Sequence, residues 1–565
     1  MLKFNDEKDK QRLSELHSQE AERLAQTLAT KYKLPYIDLS KVAINTDALR
    51  IVPEAEAREG QLAAFRVTGK HLYLALRAPA HPKAKAILKD LEAKNYILEK
   101  YLVSEAGLIR AWDRYKEISK STRTEAGVID ISSADIDRFI EEIKDLEDLA
   151  QILEKESGIA FKEGGISDLL EIILAGGIST LASDIHIEPQ EGKVRMRYRL
   201  DGVLKNVIFF HERLYKQILS RVKLISGLKL NVKKSAQDGR FSIRLAETDI
   251  EIRTSILPGA YGESTVLRIL NPETIAVSFD TLGIESALLK IVNREISKPN
   301  GMVLLTGPTG SGKTTTLYAF LRKISTTANK IITIEDPIEY HLQGVNQTQV
   351  NSKQNYTFLS GLRSALRQDP DIIMIGEIRD SETAKIAVDS SLTGHLVFST
   401  LHTNNAAGTI PRLIDLGVNP KVLDASLNIA MAQRLVRVLC KHCKVTDTPN
   451  VEEKKLLDGI VAAIKTKRPD LASPDTDQIW RPTKAGCGQC HHTGYRGQVG
   501  IFEGILVDPA ISKLLISNPN EREIRLAAKP QGILDMREDG VMKVLSGITD
   551  LSELGRVVDI HEEIL

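Results

Sequence analysis

Residues 307–314 read Gly-Pro-Thr-Gly-Ser-Gly-Lys-Thr and meet G-x-x-x-x-G-K-[ST] at every fixed position. Such a loop lets backbone N–H groups converge on phosphate oxygens, and the helix that follows adds the partial positive charge of its N-terminus. Gly307, Pro308, Thr309, Gly310, Ser311, Gly312, Lys313, Thr314 and Thr315 are the candidate nucleotide-binding set. Lys313 is placed to reach the β- and γ-phosphates, and the Thr314 hydroxyl to coordinate Mg²⁺.

Splitting a phosphate also needs an oriented water. Glu335, Asp336 and Glu339 cluster after the apolar run Lys330–Glu335, and Glu377 ends the run Asp371–Ile375. Glu339 is the candidate to orient or deprotonate the water, and Glu377 the candidate for Mg²⁺ through its bound water. His395 and His402 flank the strand-like Leu396–Ser399 beside the expected nucleotide face. Two readings stay open for them, structural hydrogen bonding or sensing of the γ-phosphate. Arg240, Arg253 and Arg268 stand near turn glycines. Each could be a solvated surface charge, but together with the basic face of Arg195, Arg197 and Arg199 they could supply charge to a phosphate from outside the loop.

All four cysteines fall in two knuckles, Cys440-Lys-His-Cys443 and Cys487-Gly-Gln-Cys490. Two C-x-x-C turns complete a tetrahedral Zn²⁺ shell with no open position, so the role is structural. A redox motif would need one such turn only. Residues 444–486 exceed the usual finger spacing and read as an inserted subdomain. Histidines 442, 491 and 492 are alternative ligands.

The elements that must position these groups follow from periodicity. Met302–Leu305 reads as a buried strand and Thr315 onward as a helix. Further strands are expected at Lys330–Glu335, Asp371–Ile375 and Leu396–Ser399, with a helix over 357–368. Alternating strands and helices point to a parallel sheet with its site at the strand carboxyl ends. Upstream, Val194, Met196, Tyr198 and Leu200 alternate with arginines as a two-faced strand. A helix is expected over Ile166–Leu181, and Ile136, Phe139, Ile140, Ile143 and Leu146 recur at helical spacing. Residues 118–135 read as a polar linker, and residues 271–300 as a connection into the site-bearing domain. Residues 1–30 read as a charge-rich helix, followed by strand-like and helical segments (YKLPYIDLS, a hairpin through HLYLALRAP, then PKAKAILKDLEAK) that suggest a small α/β domain to about residue 117.

At 565 residues the chain is long enough for about three to five domains. With 76 Lys+Arg against 75 Asp+Glu, no global field exists to hold nucleic acid. No apolar run approaches the about 20 residues of a membrane span, and the charged first residues lack a signal-peptide core, so a cytosolic location is expected. A translocase on nucleic acid and a non-catalytic regulatory ring are the competing classes. The charge balance argues against the first and the intact Lys313, Glu339 and Glu377 against the second.

With these residues assembled, the chain resembles the ATPases of type IV pilus assembly and type II secretion. The matching stretches are GPTGSGKTTT, TIEDPIE (Thr333–Glu339), DIIMIGEIRD (Asp371–Asp380), TGHLVFSTLHTN (Thr393–Asn404), the paired knuckles, and upstream ASDIHIEP, RYRLDG and QDGRFS. The resemblance implies an α/β multidomain chain. A small N-terminal α/β domain spans residues 1–117, with a linker and helix at 118–150. A PAS-like α+β domain follows at 151–275, then a RecA-like motor at 276–565 with a zinc insertion at 440–490. It implies a homo-hexamer that binds ATP with Mg²⁺, with Arg240, Arg253 and Arg268 on the phosphates. It implies no nucleic acid, a location at the cytoplasmic face of the inner membrane, and coupling to a platform protein there. LPYIDL (Leu34–Leu39) and the LYLAL strand resemble the assembly-type amino-terminal domain. The arginine-leucine-glycine motif with which some relatives bind a cyclic dinucleotide is missing from it. Retraction-type members lack this domain and the knuckles, so assembly or secretion is expected.

Overall fold

The computed structural model describes residues 22–117, 128–130, 143 and 145–561, apart from short breaks at 40, 43, 50, 69, 95, 164, 246–247, 272–276, 352–353 and 473. Two units are distinguished, residues 1–269 and 270–565.

In the first unit, β1 (Leu62–Thr68), β2 (His71–Leu76) and β3 (Ile97–Leu102) form one small sheet. β1 and β2 make the expected antiparallel hairpin, while β2 and β3 run parallel across the helix Pro82–Ala93. YKLPYIDLS contributes only an isolated bridge, Tyr36 to Leu102. Pro35 has no N–H to give a ladder, so the pairing stops at the bonds of Leu102 with the Pro35 carbonyl and the Ile37 N–H.

The second sheet of this unit has seven strands. They are β4 (Val128–Asp130), β5 (Asp184–Gln190), β6 (Lys193–Leu200), β7 (Val203–Phe210), β8 (Gln237–Leu245), β9 (Thr248–Gly259) and β10 (Gly262–Leu270), in the order β4-β8-β9-β10-β5-β6-β7. Helices Leu146–Glu163, Ile166–Ser179 and Glu212–Ile225 supply the other half of its core. In β6 the apolar residues are buried and the arginines face outward, as the alternation dictates. β4 lies inside the stretch read as a linker and pairs parallel to β8. Most of the spacing Ile136–Leu146 lies outside the described residues; Ile143 is buried in the same core.

The second unit is built on β11 (Gly301–Thr306), β12 (Ile331–Glu335), β13 (Asn346–Gln349), β14 (Ile372–Ile375), β15 (Leu396–Leu401), β16 (Leu427–Leu439) and β19 (Tyr495–Leu506). Their order is β13-β12-β14-β15-β11-β16-β19. All pairings are parallel except β16 with β19. Every residue of β11, β12, β14 and β15 is buried, because helices cover both sheet faces and a parallel strand then has no wet side. Residues 277–300, read from sequence as part of a connection over 271–300, are more than that. The helix Ser286–Ile296 and Phe279 pack with β11 and the helix Lys313–Ile324 in one core, so this stretch is part of the layer behind the phosphate loop. Between β16 and β19 is inserted a two-stranded hairpin, β17 (Lys444–Asp447) with β18 (Ile479–Pro482), and the helix Val451–Lys467.

Candidate active site

The parallel strands deliver their carboxyl ends to one edge. The phosphate loop leaves β11 there and turns through Gly307, Gly310 and Gly312, all with positive φ. A Cβ on Gly307 would lie 2.6 Å from the Gln433 carbonyl oxygen, so only glycine fits this approach. Gly312 starts the helix Lys313–Ile324 and offers it no side-chain cap, so the first N–H groups face the loop. Lys313 Nζ donates to the carbonyls of Gly307 (2.8 Å) and Pro308 (3.1 Å), which arches the ammonium over the loop. Burial holds its pKa below the ordinary lysine value, against the pull of the Glu377 carboxylate.

β15 ends beside β11 and the two tips are tied together. The Thr306 hydroxyl donates toward the Leu401 and Thr403 carbonyls and accepts from the Thr403 N–H at 2.7 Å. Ser399 and Thr400 hydroxyls bond the carbonyls of Ile375 in β14 and of Gly376 just after it, which fixes the turn that carries Glu377. Glu377 takes His402 Nε2 at 3.0 Å on one oxygen and Arg379 on the other. Burial alone would raise its pKa, but these hydrogen bonds outweigh it and hold the carboxyl below the usual glutamate range. Two strand spacings separate β14 from β11, about 10 Å.

His395 makes a structural hydrogen bond away from this edge. It sits at the amino end of β15, where its backbone carbonyl accepts from Gly301 N and its ring faces the Ser390 carbonyl at 3.0 Å. The six residues of β15, about 20 Å of extended chain, separate it from the edge that holds His402. A histidine on each side of a strand cannot share one end of it.

At the tip of β12 the acids divide. Glu335 is buried and bonded by the Tyr318 hydroxyl, the Thr333 hydroxyl and Gln347 Nε2. Burial raises its pKa despite these bonds. It is a fixed post, not a free acid. Glu339 is half-exposed beyond the cis Asp336-Pro337 bond, and its backbone bonds the same Tyr318 hydroxyl. Gln433 and Arg434 of β16 are site residues that motif reading did not single out. Gln433 bonds the Thr316 hydroxyl at 2.8 Å beneath the loop. The signal was a Gln-Arg pair interrupting the apolar run Leu427–Val436.

In the first unit the three arginines lie within strands: Arg240 in β8, Arg253 in β9 and Arg268 in β10. Gly239 is required by a close approach, since its Cβ would lie 2.4 Å from the Ser226 carbonyl. Arg240 and Arg253 are direct cross-strand partners, and Arg268 is the partner of Asp184. Arg240 is 69% exposed, Arg253 is bonded to Glu251, and Arg268 Nε donates to Asp184 at 2.9 Å. The basic face of β6 is neutralised by β5, with Glu188 bonding Arg195 and Arg197 and Asp184 pairing Arg199.

The four cysteines converge where β16 ends and β19 begins. Their sulfur atoms all lie within 4.8 Å, with Cys440–Cys487 and Cys443–Cys490 at 3.8 Å and Cys487–Cys490 at 3.7 Å. Zn–S bonds of about 2.3 Å in a tetrahedron place sulfurs about 3.8 Å apart, whereas a disulfide needs about 2.05 Å. The set fits a four-thiolate zinc site. Backbone N–H groups of Cys487 and Gly494 point at Cys490 Sγ, the hydrogen bonds a thiolate attracts. Histidines 442, 491 and 492 are not members of the cluster.

A phosphate loop, a carboxylate at the same strand ends and a RecA-type parallel sheet define a P-loop nucleotide hydrolase. Residues 160–556 match the model of the type II/IV secretion system protein family, and residues 32–122 match the MshEN domain. The chain is 46% identical over 389 residues to type II secretion system protein E of Aeromonas hydrophila, covering 69% of this chain and 75% of that one. It is 36% identical over 536 residues to the type IV pilus assembly ATPase PilB of Myxococcus xanthus, covering 95% and 91%. Among solved structures, the ATPase DotB of Legionella pneumophila is 22% identical with a TM-score of 0.49, covering 69% of this chain and 94% of that one. The chain belongs to the type II/IV secretion system protein family and is an ATP hydrolase of that family.

Proposed function

We propose that this secretion ATPase works as a homo-hexamer at the cytoplasmic face of the inner membrane. Hydrolysis there drives assembly of type IV pilus or type II secretion pseudopilus subunits through a membrane platform protein. The observation that carries the reading is the edge where Lys313, Thr314, Glu377 and His402 meet on the ends of β11, β15 and β14. Lys313 and the loop N–H groups would hold the β- and γ-phosphates. Thr314 and Glu377 would hold Mg²⁺, directly and through water, and the cation would neutralise charge on the transferring phosphoryl group. Glu339 would orient the attacking water, and His402, bonded to Glu377, would register the γ-phosphate. The Arg240, Arg253 and Arg268 side chains would add positive charge to the phosphates. The cysteine set would hold a structural Zn²⁺. A match to the MshEN domain and a four-cysteine set both support an assembly or secretion motor over a retraction one. No apolar helix long enough to span a bilayer occurs among the described residues, so membrane association would run through partners.

The test is ATPase activity of the full chain with and without a candidate platform protein. Lys313→Ala should abolish turnover, and the platform protein should stimulate the wild type. Stimulation by DNA instead would move the reading to a nucleic-acid translocase. Arg240→Gln, Arg253→Gln and Arg268→Gln should each lower kcat, and unchanged turnover in all three would remove the arginines from the site.

A further inference from the structure

Arg434 is a second cation at the phosphate loop, and no role above uses it. It projects from β16, whose Ala432 pairs with Thr306 at the end of β11. Its guanidinium is a fork across two segments. Nη2 donates to the Asn404 carbonyl at 2.9 Å, and Nη1 donates to the Gln433 carbonyl at 3.1 Å. The same Gln433 carbonyl lies 2.6 Å, and Arg434 Nη1 3.2 Å, from where a Cβ on Gly307 would stand, so the fork lies against the first residue of the loop. Asn404 closes the stretch that contains His402, and His402 bonds Glu377. A chain of contacts therefore runs from Glu377 through His402 and Asn404 to Arg434 and Gly307.

We propose that Arg434 is a positioning residue that couples the His402–Asn404 turn to the phosphate loop, so that the site distinguishes a nucleotide with a γ-phosphate from one without. The planar fork suits this, because one guanidinium holds both carbonyls in fixed geometry, whereas lysine offers a point charge on a flexible stem. The guanidinium also stands close enough to Lys313 to oppose its charge; burial lowers its own pKa, with Glu503 pulling the other way. Arg434 therefore adds positive charge beside the loop without replacing Lys313.

This inference rests on the ATPase reading, and the experiment separates the two. Affinities for Mg-ADP and Mg-ATPγS, kcat and Tm are measured for wild type, Arg434→Gln, Arg434→Lys and Lys313→Ala. Arg434→Gln is expected to keep ADP affinity within about threefold and to lose about fivefold or more of the ATPγS-over-ADP preference, the lower range for coupling between two sites. Arg434→Lys should restore this only in part. A wild-type preference in Arg434→Gln overturns the inference. So does an equal weakening of both nucleotides with a lowered Tm, which is what general loop damage would give. Full restoration by lysine overturns it too, because charge alone would then suffice. Wild-type hydrolysis by Lys313→Ala would instead sink the ATPase reading itself.

Discussion

Glu335 and Glu339 stand four residues apart in one acidic stretch, yet their surroundings assign them different work. Glu335 has its hydrogen-bonding capacity taken by Tyr318, Thr333 and Gln347 and sits in the core. Glu339 is half-exposed at the catalytic edge. Glu339→Gln is expected to keep ATP binding and to lower kcat by about 10² to 10⁴, the usual worth of a positioned base. Glu335→Gln should instead lower Tm, because it disturbs a buried network. ATPase assays beside thermal melts of both variants check this, and the two outcomes exchanged would reverse the roles.

At the scale of elements, the last helix is fastened to the central sheet by ion pairs rather than by apolar burial alone. Glu553, in the helix Leu551–Val557, is fully buried and bonded by Arg437 of β16 and by Arg556. Arg437 also lies over the Tyr495 ring of β19, whose hydroxyl donates to Asp550 at 2.6 Å. Removing the carboxylate leaves a partly buried Arg437 without its charged hydrogen-bond partner, so Glu553→Ala should cost about 1–3 kcal/mol. Its pH dependence has a definite sign. Burial pushes the Glu553 pKa up, but Arg556 and Arg437 outweigh it and hold it below the ordinary glutamate value. The folded chain then binds fewer protons than the unfolded chain in that window. The clasp contributes fully above the ordinary glutamate range and fades as the pH falls through the lowered value, with no change near neutrality. Denaturant melts across the acid range should show Glu553→Gln losing less stability on acidification than the wild type.

For the whole molecule, the cysteine cluster closes an insertion made of a two-stranded hairpin and the helix Val451–Lys467. An isolated hairpin is marginal in water, so a metal staple has large leverage. Purified protein should carry one zinc per chain. Chelation or Cys487→Ser should lower Tm and expose residues 444–486 to protease before the central sheet. Zinc absent from elemental analysis would reject the metal, and unchanged proteolysis after its removal would reject the structural role. The hairpin's attachment also rests on helix Val451–Lys467, whose Leu457, Ile460 and Ile464 join the motor core, so the insertion should loosen rather than unfold the catalytic edge.

The sequence by itself determined the phosphate loop, the parallel strands that end at it, and the cysteine set. Those signals are local: glycine spacing, apolar runs and paired knuckles carry their own geometry. Only the tertiary structure decided which polar groups share an edge. It brought His402 to Glu377 across 25 positions and sent His395 to the opposite end of the same strand. It set Gln433 and Arg434 beneath the loop from more than a hundred residues away. It placed Arg240, Arg253 and Arg268, read as neighbours of turn glycines, within strands, and it drew residues 277–300 into the motor core. The physical reason is that strand order, not chain order, fixes neighbours in a parallel sheet. A motif states what a segment can bind, and the register of distant strands states what stands beside it.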